Sequence, residues 1–66
     1  MKNHLKVERA KLNMTQQELS VAIGVSRQTI NSIELEKYIP STVLALKLSK
    51  VFGKGVNEIF ELENGD

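Results

Sequence analysis

Sixty-six residues suffice for one domain and are too few for two. With no cysteine and His4 as the single histidine, a disulfide scaffold, a thiolate nucleophile and a structural zinc cluster are all excluded as expectations. The 41% apolar and 26% charged content is globular, and a net charge of +1 gives no whole-molecule electrostatic case for nucleic acid. Stability must come from packing, capping and a partner subunit.

Helical spacing opens the chain, with Leu5 and Leu12 seven residues apart, Arg9 on the same side, and Asn13 as the stop. Thr15-Gln16-Gln17-Glu18 matches a capping box, in which hydroxyl and carboxylate satisfy free amides reciprocally. The second helix places Leu19, Ala22 and Ile23 on one face and ends at Gly24, a left-handed cap. Ser26 caps a third helix whose inward face is Ile30 and Ile33, stopping near 34–36. After the loop EKYIP, Ser41 starts a fourth helix with an apolar stripe of Leu44, Leu48, Val51 and Phe52. Gly53 and Gly55 break the chain, Val56 to Phe60 allow one more turn, and FELE is a candidate extended segment.

Two short helices joined at Gly24 inside an all-helical chain have the layout of a helix-turn-helix, although any small bundle contains such a corner. The stretch QQELSVAIGVSRQTINSIE, residues 16–34, decides between them, because it resembles the helix-turn-helix of the phage-repressor/Cro (XRE) family. Arg9 and PSTVLALKLSKVF match that family's first and fourth helices, so the resemblance covers about Leu5 to Phe60. SRQTIN, KY, PS and LALK look closest to the small cytolysin-repressor subgroup. The implied fold is all-α, a compact five-helix bundle with the motif at about 16–35. A short two-stranded β-ribbon from the chain ends accompanies it in that subgroup.

The resemblance implies double-stranded DNA as partner, read by a homodimer with the third helix in the major groove. Arg27, Gln28 and Asn31 face outward as base contacts: arginine pairs with guanine, glutamine or asparagine with adenine. Gln16, Ser26, Thr29, Lys37 and Tyr38 are the expected DNA-backbone contacts. Residues 24–33 carry one basic and no acidic side chain, as a surface facing phosphates requires. Arg9 and Glu34 pair across the first and third helices in the family and are read as structural. Val56, Ile59, Phe60 and Leu62, in a segment at about 56–63, are the expected dimer interface, shared with closure of the core.

Two positions depart from the family pattern. Ser20 replaces the usual alanine at the contact between the motif helices and is small enough to fit, its hydroxyl free to bond a carbonyl one turn earlier. Glu36 replaces a common glycine after the third helix; if the turn is left-handed, the side chain costs about 1 kcal/mol. The expected function is that of a sequence-specific transcriptional regulator, a repressor occupying a palindromic operator without an effector domain. The alternative is an antitoxin-like protein-binding module with its own protein partner. No nucleophile–base pair or phosphate-cradling glycine loop supports an enzyme, and no cofactor, metal or membrane partner is expected. The stretch MKNHLKVERAK is not a secretory signal, so the expected location is cytoplasmic.

Overall fold

A computed structural model describes residues Met1–Asp66. Five helices follow one another: α1 (Leu5–Lys11), α2 (Gln16–Ile23), α3 (Arg27–Glu34), α4 (Thr42–Phe52) and α5 (Val56–Ile59). Two short strands, β1 (Lys2–Asn3) and β2 (Phe60–Glu61), flank them and pair antiparallel, with Lys2 opposite Glu61 and Asn3 opposite Phe60. His4 extends this ribbon by donating its amide to the Ile59 carbonyl at 2.7 Å. The chain is therefore mostly helical, with the five helices and the ribbon expected from the sequence.

Several helix boundaries have a local chemical cause. Asn13, just past α1, takes φ +52°, a left-handed conformation that asparagine tolerates better than most residues. Ser26 and Ser41 cap α3 and α4 by accepting the amides of Thr29 and Leu44 at 3.1 and 3.2 Å. In α5 the Glu58 carboxylate reaches back to the Gly55 amide at 2.7 Å. Lys47 brings its ammonium from α4 to the Ile23 carbonyl, a favourable place for a cation at the end of α2.

The core consists of Leu5, Leu19, Ile23, Ile30, Ile33, Leu48, Ile59 and Phe60, drawn from every helix and from β2. Of the expected α4 stripe, Leu48 is fully buried, while Leu44, Val51 and Phe52 pack partly buried around it. Two details differ from expectation. Leu12 is half exposed, because α1 ends before it. Ala22 is exposed, whereas Ser20 is buried as expected and donates its hydroxyl to the Gln17 carbonyl at 2.7 Å. At a close helix–helix contact small size matters more than polarity, and the local hydrogen bond removes the cost of burying the hydroxyl.

Candidate nucleic-acid interface

The interface begins with how α2 and α3 are held. Thr15 Oγ1 accepts from the Glu18 amide at 3.0 Å, and Glu18 Oε1 accepts from the Thr15 amide at 2.9 Å, completing the capping box. Hydrogen bonds to the carboxylate from the Thr15 backbone amide, and next from the Thr15 side chain, hold Glu18 below the ordinary glutamate range. Gly24 closes α2 at φ +74°, where a side chain would be strained, and its amide bonds the Ser20 carbonyl. The chain then turns through Val25 into the Ser26 cap, so α3 leaves the corner with its first turn fixed.

On α3, Ile30 and Ile33 are fully buried. At 100° per residue the opposite side carries Gln28, with Asn31 and Ser32 flanking it and Arg27 at its edge. Arg27 and Gln28 are exposed, whereas Thr29 and Asn31 are half-buried. A surface groove of about 520 Å³ runs beside this face, lined by Val25, Gln28, Thr29, Ser32, Lys37, Tyr38 and Leu44. It brings the expected Gln28 and Thr29 together with Lys37 and Tyr38 from the following loop. Ser32 also lines it and was missed by the sequence reading; its signal was the i+4 spacing from Gln28.

Gln16, an expected DNA-backbone contact, has its side chain turned onto α3. Its Nε2 donates to Asn31 Oδ1 at 3.2 Å and to Glu34 Oε1 at 3.1 Å, while its Oε1 accepts from Arg27 at 3.3 Å. One amide thus ties the start of α2 to three residues spread from the first to the last of α3. Ser26 likewise spends its hydroxyl within the helix, on the Thr29 amide and, at 2.9 Å, on the Thr29 hydroxyl.

The network ends in the expected ion pair. Arg9 donates from Nε to Glu34 Oε2 at 2.8 Å and from its terminal amino group to Oε1 at 3.1 Å. Its second amino group satisfies the Met14 carbonyl at 2.9 Å. The side chains are only 15% and 7% exposed, so this is a two-pronged pair removed from water. The hydrogen bonds that Arg9 donates to Glu34 raise the Arg9 pKa further, against the opposing effect of burial. Such a pair fixes the angle between α1 and α3 more than it adds net stability.

Near the β-ribbon, the expected interface residues separate. Ile59 is fully buried and Phe60 is 6% exposed within the single chain, so both belong to the core. Val56 is half-buried and Leu62 is 83% exposed. An apolar groove of about 260 Å³ on this side is lined by Met1, Ile39, Pro40, Thr42, Ala45, Leu46, Val56 and Phe60. Ile39 and Leu46 lie more than half exposed there. Sequence reading missed both, though Leu46 sits off the core stripe of α4, which was the available signal. No group of three or more histidine, aspartate or glutamate side chains is placed to hold a metal, and no helix is long and apolar enough to cross a membrane.

Comparison with known proteins agrees with this geometry. The helix-turn-helix family model matches residues 5–59. An uncharacterized HTH-type transcriptional regulator of Methanocaldococcus jannaschii is 50% identical over 66 residues, all of both chains. The similarly described YgzD of Bacillus subtilis is 43% identical over 63 residues, 96% of each chain. The solution structure of the SOS-response transcriptional repressor LexA from Eubacterium rectale superimposes with a TM-score of 0.80 at 29% identity, covering 94% of this chain and 66% of that one. The chain belongs to the XRE-type helix-turn-helix family of DNA-binding transcriptional regulators.

Proposed function

We propose that the protein represses transcription in the cytoplasm by occupying a palindromic operator as a homodimer, with α3 of each subunit in the major groove. The observation that carries this reading is the exposed start of α3, where Arg27 and Gln28 face solvent and no carboxylate occurs between residues 24 and 33. Arg27 reaches guanine acceptors, and Gln28 pairs with a base edge through both its amide atoms. Asn31 offers its amino group while its carbonyl accepts from Gln16. Lys37 and Tyr38, with Ser32 and Thr29 across the shared groove, border the path of one DNA strand. The backbone amides at the start of α2 remain available to a phosphate, with the Gln16 side chain behind them as a brace.

Residues 1–66 act as one DNA-binding domain in this reading, and the dimer forms on the face near the β-ribbon. Val56 and Leu62 contribute from the expected segment, joined by Ile39 and Leu46, while Ile59 and Phe60 support that face from the core. One copy of so small a domain makes few base contacts, and two copies read half-sites about one helical turn apart.

Selection of binding sites from randomised duplex DNA near physiological salt, run beside Gln28→Ala, tests the proposal. The expected result is a twofold-symmetric site whose preference changes in the variant. No enriched site from folded protein overturns it in favour of a protein-binding module.

A further inference from the structure

One hydrogen bond joins the β-ribbon to the recognition helix. Asn3, on β1, donates from Nδ2 to the carbonyl of Ile33 in the last turn of α3 at 2.8 Å. Its Oδ1 accepts the Leu5 amide at 3.2 Å, at the start of α1. Its main chain lies opposite Phe60 in the ribbon. A single side chain therefore connects β1, the start of α1 and the end of α3, and the ribbon connects these to α5. The Ile33 carbonyl also accepts the Glu36 amide at 2.9 Å, so both its lone pairs are engaged.

We infer that Asn3 is a positioning residue that sets the distance between the recognition helix and the dimer axis, and hence the spacing of half-sites the protein accepts. The inference rests on the homodimer reading above. Half-site spacing follows from where each α3 lies relative to the twofold axis. Ile33 and Ile59 both belong to the apolar core between these parts, but apolar packing is non-directional and permits small slides. A hydrogen bond at 2.8 Å is directional, and this one spans the two parts whose relation determines spacing. The Asn3 side chain bonds only Ile33 and Leu5, neither of them proposed to meet DNA, so its effect separates from base recognition.

The test is site selection with the full chain and Asn3→Asp, using libraries whose half-sites are held at graded separations. Aspartate keeps an acceptor for the Leu5 amide and loses the donor to Ile33. The expected result is an unchanged half-site sequence, with the preference for the best spacing over its one-base-pair neighbours reduced about fivefold. A paired wild-type site whose spacing profile is identical in a folded Asn3→Asp variant overturns the inference and leaves the homodimer reading standing. Unpaired half-sites from the wild type overturn both. If Asn3→Asp does not fold, Asn3→Ser supplies the same comparison, since serine retains an acceptor and is too short to reach Ile33.

Discussion

The two ends of α3 are built in opposite ways. At its start, Arg27 and Gln28 project into solvent, and the hydroxyl of Ser26 holds only Thr29 within the same turn. At its end, Glu34 is gripped by Arg9 and Gln16, and the Ile33 carbonyl by Asn3 and Glu36. A helix that must enter a groove needs one end lightly held, as Arg27 is by a single 3.3 Å bond to Gln16, and the other fixed in angle, because misaligned base contacts lose their bidentate geometry. Gln16 mediates between the two ends, since it bonds Arg27, Asn31 and Glu34 together.

The sharpest way to break this contrast is at the fixed end. Glu34→Ala strands the largely buried Arg9 guanidinium and one partner of Gln16, and is expected to lower stability by about 3 kcal/mol. In a domain of this size that is a drop in Tm of more than roughly 10 °C, readable by circular dichroism. A midpoint equal to wild type would mean that the pair does not hold the helix. At the free end, Gln28→Ala is expected to leave Tm within about 1 °C while weakening binding to the selected site by about 2 kcal/mol. Equal losses of stability and affinity would contradict the division of labour.

Smaller effects refine it. Glu36 holds φ +62°, the left-handed turn in which the sequence comparison anticipated a penalty, so Glu36→Gly is expected to stabilise the fold by about 1 kcal/mol in urea unfolding. The same change removes a negative charge beside Lys37 and should tighten DNA binding slightly at low salt. The smallest effect concerns pH. Glu18 has its pKa lowered in the fold by hydrogen bonds from Thr15, so the unfolded chain binds its proton first as pH falls. Its stabilising contribution is complete above the ordinary glutamate range and is lost as pH drops through the folded-state value. Urea midpoints measured from neutral pH into the acid range should therefore fall less steeply for Glu18→Gln than for wild type.

What the sequence revealed and what it hid divide by the reach of the interactions. The capping box at Thr15, the left-handed Gly24, the Ser26 cap and the Ile30/Ile33 face all depend on neighbours within a turn or two. Their residue types therefore announce them. Arg9 and Glu34 were legible only through family resemblance, since nothing local pairs residues on separate helices. The Gln16 brace and the Asn3 tie were illegible because amide side chains carry no pattern that names a distant partner. Ile59 and Phe60 were ambiguous for another reason: a helix of four residues has too little periodicity to separate a core face from an interface face. At Ala22 the apolar rule pointed the wrong way, whereas the burial of Ser20 was legible from its small size at the matched helix contact.

The most direct test of the contrast between the two ends of α3 follows backbone and side-chain amide resonances of ¹⁵N-labelled protein during titration with the selected duplex. The expected result is that the largest shifts fall on Arg27, Gln28, Asn31 and Ser32, with Lys37 and Tyr38 next and the ribbon nearly unmoved. Dominant shifts around Val56 and Leu62, with Gln28 unchanged, would contradict α3 as the reading surface.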